Sequence, residues 1–345
     1  MKQQIRILFV SLGLLVVCHH SLVEAAVVFG LGYSSEGQAL SGGSRWNAAP
    51  TDFLTPDGIV ERSLQDGLRY SLLGGSYEAY RDQFDWVIEP SVGEFEAAIQ
   101  QSFEPWTALD PNTGLGTQLS FVEDLDTPVN FGIEQNIRLG AEIDLLAGNV
   151  GVGTYGQAYF SGEAIAAGLT LTSGTSGYEG FAITGADVTM NNHQVAWDLN
   201  TFQTILTHEI GHAIGLGDVE DFFGNGFIDD NYSPLDPLET LTNAWSHRVN
   251  PLNPARSDLF LFDVSNDING LDAPGVDILM ETDIPSRFFQ TGAALQNDDF
   301  GGRQFLYPEL GQLQSEEPAR TVTEPSALVA CLVLGLGLLT RCHRR

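Results

Sequence analysis

Cysteine is almost absent from this chain of 345 residues, and its three cysteines all lie near the two ends. Cys18 precedes the body of the sequence, while Cys331 and Cys342 follow it. The body therefore has no disulfide framework, which excludes the class of small secreted domains that depend on one. Its stability must come from a hydrophobic core and from any ions that it binds, and a chain of this length can bury such a core.

Positive charge is also scarce in the sequence. It contains 15 Lys and Arg residues against 45 Asp and Glu residues, so its formal net charge is −30. A surface this acidic repels nucleic acid and anionic membranes, and both are excluded as partners of the body. The same surface suits calcium and a salty exterior, although simple solubility explains it equally well.

The N-terminal segment has the pattern of a secretory signal. Lys2 and Arg6 precede an apolar run from Ile7 to Cys18, and Val23-Glu24-Ala25 supplies small residues for cleavage. Because the run is too short for a spanning helix, residues 1–25 are predicted to be a signal peptide and the protein to be exported.

The C-terminal segment has an apolar stretch from Ala327 to Leu339, followed by a basic end. The stretch is shorter than the roughly 20 residues of a comfortable membrane span. With Glu324-Pro325 before it, the arrangement resembles the PEP-CTERM sorting tail of exported bacterial proteins. The resemblance implies that residues 325–345 are the only membrane contact and hold the protein there until export and sorting machinery processes it. A plain membrane anchor is the alternative, and residues 311–324 are interpreted as a linker.

Periodicity and capping residues predict both helices and strands, without internal repeats. Apolar residues at helical spacing predict helices over Glu94–Leu109, with Pro105 disturbing the last turn, and over Thr201–Leu216. Strands are expected in several short segments, namely Gly67–Leu73, Phe84–Ile88, Gln118–Glu123, Ala141–Leu146, Ala164–Thr172 and Ala186–Met190.

The second predicted helix carries the residues that indicate chemistry. It contains His208-Glu209-Ile210-Gly211-His212, in which two histidines at positions i and i+4 lie one turn apart. Both imidazoles can therefore reach one metal ion, and Glu209 lies beside them as a general base instead of a ligand. The competing interpretation is an ordinary buried helix whose histidines are satisfied by hydrogen bonds.

Gly215 and Asp218 extend this string to H-E-x-x-H-x-x-G-x-x-D. The glycine lets the chain turn sharply at the helix end, so that the carboxylate three positions later returns to the metal. Three protein ligands leave a fourth position open, as in a catalytic zinc site. We therefore expect His208, His212 and Asp218 to hold Zn²⁺. Glu239 would be the third ligand in a protease that uses a downstream glutamate.

The extended string resembles the metzincins, and within them the matrixin branch, in which the third ligand is His or, in some bacterial members, Asp. Met280 stands where that family has a methionine turn beneath the zinc, and Leu295–Tyr307 is similar to its last helix. The resemblance covers Glu94 to Pro308. It implies an α+β catalytic domain over residues 93–310, with a twisted, mixed five-stranded sheet packed on long helices and a zinc cleft. It also implies that the strand Ala164–Leu171 lines this cleft.

The sequence departs from the family in two respects. No cysteine stands in the body, so latency through a cysteine switch is excluded, and residues 26–92 are interpreted as a Gly-rich leader. Residues 219–275 form an insertion with two clusters of Asp and Asn, which are candidate structural Ca²⁺ sites or else polar surface turns. The candidate ligands are Asp221, Asn225 and Asp229 in the first cluster, and Asp263, Asp267 and Asn269 in the second.

The sequence thus predicts an exported zinc metalloendopeptidase, extracellular or on the cell surface, that cleaves a protein or peptide substrate. The alternative is a non-catalytic, calcium-binding surface or adhesion protein on a metallopeptidase-like scaffold, which the sorting tail and the acidic body would also suit. Glu209 favours the enzyme, because a binding module has no need of that carboxylate beside a metal.

Overall fold

The computed structural model describes residues 31–32, 41–42, 44–55, 58–111, 114, 116–129, 139–172, 176–177, 180–193, 195–218, 279–281, 289, 294–307 and 309. The predicted signal segment, linker, sorting segment and insertion lie outside these residues. So do the alternative ligand and the candidate calcium ligands, namely Glu239, Asp221, Asn225, Asp229, Asp263, Asp267 and Asn269.

Helices and strands alternate along the described chain. The helices bounded within it are α1 (Tyr77–Arg81), α2 (Val92–Thr107), α3 (Leu199–Ala213) and α4 (Asn297–Leu306). The strands are β1 (Leu31–Gly32), β2 (Ser41–Gly42), β3 (Ser44–Arg45), β4 (Thr51–Thr55), β5 (Gly58–Arg62), β6 (Leu68–Leu72), β7 (Asp85–Trp86), β8 (Phe121–Glu123), β9 (Ile143–Gly148), β10 (Gly156–Ala164), β11 (Phe181–Asn191) and β12 (Ala196–Trp197). In this part of the chain, no helix has both the length and the apolar character needed to cross a membrane.

Six strands form one mixed sheet, in which most pairings are parallel. Its order is β10-β11-β9-β6-β8, and the short strand β3 also pairs with β11. Only β10 runs antiparallel to its neighbour, whereas the other pairs of this sheet are parallel. This mixture of helices with a mixed sheet agrees with the predicted α+β class. The sheet has six strands where five were predicted: the domain predicted over residues 93–310 supplies four of them, β8 to β11, and the leader supplies the other two, β3 and β6.

The leader shares this sheet and its core with the residues that follow it. Both β3 and β6 lie in the segment 26–92 that the sequence separated from the domain. Arg62, only 2% exposed, donates to Glu142 Oε1 at 2.7 Å, to Gly140 O at 2.8 Å and to Thr184 O at 3.0 Å. A buried guanidinium is costly unless it is paired, so these bonds tie the leader firmly to the ends of β9 and β11.

Helix α2 packs on α3, and α3 packs on β10 and β11. A capping box starts α2, since Glu94 N donates to Ser91 Oγ at 3.3 Å and Ser91 N donates to Glu94 Oε2 at 2.8 Å. Trp106 Nε1 joins the two helices by donating to Thr207 O at 2.8 Å. Pro105 lies in the last turn, and the helix ends two residues later. The buried face of α2 consists of Phe95, Ala98, Ile99, Phe103 and Trp106.

The strand at the edge of the sheet lies earlier in the chain than predicted. The prediction of a strand over Ala164–Thr172 is wrong, because β10 ends at Ala164 and residues 165–172 form a turn and an isolated bridge. Local propensity did not indicate β10, whose sequence is Gly156-Gln-Ala-Tyr-Phe-Ser-Gly-Glu-Ala. Antiparallel pairing with β11 along its whole length makes it a strand. The other predicted strands and both predicted helices are confirmed, with shifted ends.

Asp187 is a buried carboxylate at the centre of this sheet. It is 1% exposed and is the register partner of Asp144 in the parallel pairing of β11 with β9. Asp144 accepts hydrogen bonds from Ser71 Oγ at 2.6 Å and Ala141 N at 3.0 Å. Neither carboxylate oxygen of Asp187 has a hydrogen-bond partner among the described residues. Burial, and secondly the charge of Asp144, raises the pKa of Asp187 to about 7.

Replacing Asp187 with Asn is expected to change how stability depends on pH. A carboxyl whose pKa is raised on folding contributes stability below its unfolded pKa of about 4, and this contribution is lost as pH rises through the folded pKa. Between pH 4 and pH 8 the wild type should therefore lose on the order of 3 kcal/mol of unfolding free energy relative to Asp187→Asn. Urea unfolding at several pH values measures this difference. The control is Asp52→Asn, an exposed strand residue, and parallel curves for wild type and Asp187→Asn would contradict the expectation.

Candidate metal centre

Helix α3 presents the predicted ligands because its other side is fixed in the core. Asp198 caps its first turn, with Oδ1 accepting from Thr201 N at 2.9 Å. The apolar side chains that are fully buried along it are Phe202, Leu206, Ile210 and Ala213. Because their spacing fixes the rotation of the helix about its axis, it also fixes the direction in which the residues of the H-E-x-x-H string point.

The end of α3 turns at Gly215, as the sequence predicts. Its φ of +105° is a conformation that side chains rarely adopt, and a Cβ at this position would overlap Ser44 O. Trp46 Nε1 donates to Ala213 O at 3.0 Å, and Tyr307 Oη donates to Ile214 O at 2.6 Å. These bonds satisfy carbonyls that a helix end otherwise leaves without partners.

Three side-chain atoms converge beyond this turn. Asp218 Oδ1 lies 3.2 Å from His208 Nε2 and 3.1 Å from His212 Nε2, and the three candidate ligand atoms all lie within 4.8 Å of one another. Ligand atoms about 2.0 Å from a tetrahedral zinc ion are separated by about 3.3 Å. The described structure therefore brings the three predicted ligands together at a spacing that suits one metal ion.

A backbone carbonyl orients each imidazole through the ring nitrogen that does not face Asp218. His208 Nδ1 lies 2.7 Å from Leu279 O, and His212 Nδ1 lies 2.9 Å from Leu216 O. A carbonyl oxygen can only accept, so each Nδ1 carries the proton and donates it. In a neutral ring, each Nε2 then points its lone pair towards Asp218, which is the tautomer that metal-binding histidines adopt.

This donor set fits a cation. Two imidazole nitrogens and a carboxylate oxygen face one point, where the buried Asp218 Oδ1 contacts only His208 Nε2 and His212 Nε2 among the described residues. Burial alone raises the pKa of Asp218, but the two imidazoles outweigh burial and hold that pKa well below its usual range. Burial lowers the pKa of His212, whereas Asp218 and Glu209 raise it, and the net result is a pKa of about 9. The site thus draws in positive charge, as a proton or as a metal ion, and its N, N, O ligands suit Zn²⁺.

Glu209 is buried beside these ligands, at 5% exposure. The N–H of Ala158 in β10 donates to its carboxylate, while Glu209 Oε2 has no hydrogen-bond partner among the described residues. The backbone of Gly156 lies against the same carboxylate, since a Cβ there would be 2.6 Å from Glu209 Oε1 and 2.9 Å from Ile205 Cγ2. Burial raises the pKa of Glu209, which makes it a stronger base than an exposed glutamate.

Leu279 and Met280 form a turn that packs against α3. Met280 is 2% exposed, and its sulfur lies so close to Gly211 that a Cβ on this glycine would overlap it. Asp299 of α4 holds the turn, because its carboxylate accepts from Leu279 N at 2.9 Å and from Met280 N at 3.1 Å. Met280 therefore packs against the helix that carries the candidate ligands, and its role in a methionine turn stays a prediction. The role of Asp299 was not predicted, although an Asp pair at the start of a predicted helix is a capping signal.

The other unpredicted contacts are made by backbone atoms. Leu216 O and Leu279 O orient the imidazoles, and Gly156 and the N–H of Ala158 lie against Glu209. No side-chain pattern in the sequence indicates such contacts. No family model matches the chain, and no curated protein matches it either. A function for this protein is therefore inferred from its own residues and their geometry.

Proposed function

We propose that this protein is a zinc metalloendopeptidase. The observation that carries the proposal is the convergence of His208 Nε2, His212 Nε2 and Asp218 Oδ1 next to the buried carboxylate of Glu209. Three ligands with an adjacent, non-ligating glutamate are the arrangement of catalytic zinc sites, whereas structural sites use four protein ligands. The three ligands and Glu209 also support the resemblance to metzincins, in which Met280 would belong to the methionine turn.

The proposed chemistry is hydrolysis of a peptide bond by water. Zinc, when bound, supplies a Lewis acid for the scissile carbonyl and makes water more acidic. Glu209 accepts the proton of the attacking water and then donates it to the nitrogen of the leaving amine. The N–H of Ala158 faces the Glu209 carboxylate and favours its charged form, which is the form that accepts a proton. The buried surroundings of Glu209 favour the protonated state that it must adopt between the two transfers.

The substrate is proposed to be an extended stretch of protein or peptide. Strand β10 is the last strand in the order of the central sheet, and it runs past Glu209. Peptides commonly bind such an edge by adding a strand, in which backbone hydrogen bonds supply affinity. We further propose that the protein acts outside the cell or at its surface, as the signal-like and sorting-like end segments predict. Bound Ca²⁺ in the 219–275 insertion remains a prediction from the sequence.

Hydrolysis of casein by the purified protein tests this function. We expect cleavage with zinc present, its loss when a chelator removes the metal, and its return when zinc is added back in excess of the chelator. Calcium added alone to the chelated protein should not restore cleavage, because the imidazoles are poor ligands for that ion. Absence of cleavage by protein that holds one zinc per chain would contradict the proposal and favour the non-catalytic alternative. Cleavage that survives metal removal would exclude a metal-dependent mechanism.

A further inference from the structure

The loop over residues 149–155 leads directly into the edge strand β10, and polar contacts hold it. Its Val152 is 91% exposed, so this apolar side chain provides no anchor in the core. Gly151 and Gly153 have φ values of +112° and +86°. Gly151 N donates to Asn149 Oδ1 at 3.0 Å, a contact internal to the loop. A loop of this kind needs a partner outside itself if it is to have one conformation.

Asn191, the last residue of β11, is that partner. It is 1% exposed, and its Nδ2 donates to Gly151 O at 3.0 Å and to Thr154 O at 2.6 Å. Its Oδ1 accepts from His193 N at 2.9 Å. The orientation of the amide is not interchangeable, because the two carbonyls can only accept and the backbone N–H can only donate. One side chain thus spans both ends of the turn that precedes β10.

The backbone of Asn191 links the loop, through Trp197, to helix α3. Asn191 N donates to Tyr155 O at 2.8 Å, and Asn191 O accepts from Trp197 Nε1 at 2.8 Å. The ring of Trp197 contacts Tyr155, at a centroid distance of 5.6 Å, and Phe202 of α3, at 5.2 Å. Residue 191 therefore joins the start of the edge strand to the first turns of α3.

The next residue of the strand lies against the proposed general base. Gly156 follows Tyr155 directly, and its Cα approaches Glu209 so closely that a Cβ would be 2.6 Å from Oε1. Two residues later, the N–H of Ala158 donates to the same carboxylate. The first residues of β10 therefore determine where the Glu209 carboxylate lies. They also belong to the strand edge along which a peptide would bind.

We propose that Asn191 is a positioning residue for the hydrolysis: its amide locks the 149–155 loop and thereby holds β10 in register against Glu209. This inference rests on the proposed peptidase function. Within the described residues, the hydrogen bonds of the Asn191 side chain go to the loop and to His193 and not to a candidate ligand, so it acts through the loop and the strand. Reactions are sensitive to such placement, since a shift of about 1 Å in a reacting group can cost about 10²-fold in rate.

Asn191→Asp is the sharpest test, because it keeps the shape of the side chain and replaces the N–H donors by an acceptor that faces two carbonyl oxygens. We expect kcat for casein to fall by roughly 10-fold to 100-fold with little change in KM and with one zinc still bound per chain. Hydrogen exchange should become faster in the peptide that covers residues 149–158 and stay unchanged in α2. Asn191→Ala leaves no buried charge, and a smaller loss in the same direction is expected from it.

Asn192→Asp is the matched control, since it adds the same charge one residue away on a half-buried side chain. It should retain the wild-type kcat and exchange pattern. Wild-type kcat in both variants of Asn191, or a loss of activity without faster exchange at residues 149–158, would overturn the proposal. If Asn191→Asp does not fold, Asn191→Ala decides between these outcomes. If the wild type cleaves nothing, the proposed function fails, but hydrogen exchange still shows whether Asn191 locks the loop.

Discussion

Replacing Glu209 with Gln is expected to lower the rate of casein hydrolysis by about 10³-fold, because general acid–base catalysis contributes on that order. The amide has the shape of the carboxylate and still offers an acceptor to the N–H of Ala158. It cannot accept the proton of the attacking water. Since Glu209 is not among the three converging ligands, the variant should still bind one zinc per chain with nearly unchanged affinity.

Glu104→Gln is the matched control for this variant. Glu104 is an exposed glutamate on α2, and neutralising it removes the same charge without touching the site. Its expected activity is that of the wild type. Substantial cleavage by zinc-loaded Glu209→Gln would show that another group serves as the base. Loss of both zinc and activity would indicate instead that Glu209 supports the metal.

Replacing His212 with Ala is expected to weaken zinc binding by about 10²-fold to 10³-fold. Structural zinc sites bind with roughly 10–16 kcal/mol in total, so each of four ligands accounts for about 2.5 to 4 kcal/mol. His212 also donates from Nδ1 to Leu216 O at 2.9 Å, so the turn that carries Asp218 loses a contact as well. Activity should fall to the background of the chelated wild type at limiting zinc, and competition with a zinc-sensitive dye measures the affinity.

Asp218→His is the control for His212→Ala, because it exchanges one zinc ligand for another instead of removing one. An imidazole at position 218 keeps three ligands, so this variant should retain zinc where His212→Ala loses it. Equal zinc affinity in wild type and His212→Ala would mean that the metal binds elsewhere on the chain.

The convergence of the three candidate ligands could be predicted from the sequence because its determinants are local. His208 and His212 are one helical turn apart, and Gly215 and Asp218 follow within a few residues, so backbone geometry alone brings these groups together. Asp198 and the apolar face of α3 identified the helix itself by ordinary capping and periodicity. Met280 was singled out by resemblance to a family, and in the folded chain its sulfur lies against Gly211.

What could not be predicted depends on contacts between distant segments. Strand β10 has two internal or terminal glycines and weak strand propensity, and its pairing with β11 became apparent only in the folded chain. The leader contributes β6 to the sheet through parallel pairing with β8 and β9, a long-range event without a local signature. Nothing in the sequence distinguishes Asn191 from an ordinary residue at the end of a strand. The carbonyls to which it donates lie about 40 residues earlier in the chain, so no local pattern reveals the contact.

The measurement that tests the central claim most directly is zinc K-edge X-ray absorption on the purified protein. The arrangement of His208, His212 and Asp218 predicts one zinc per chain with two imidazole nitrogens and otherwise oxygen ligands, at about 2.0 Å. The spectrum of Asp218→His should change to three imidazoles. A zinc content well below one per chain, or identical spectra for wild type and Asp218→His, would contradict the assignment of these residues as the metal centre.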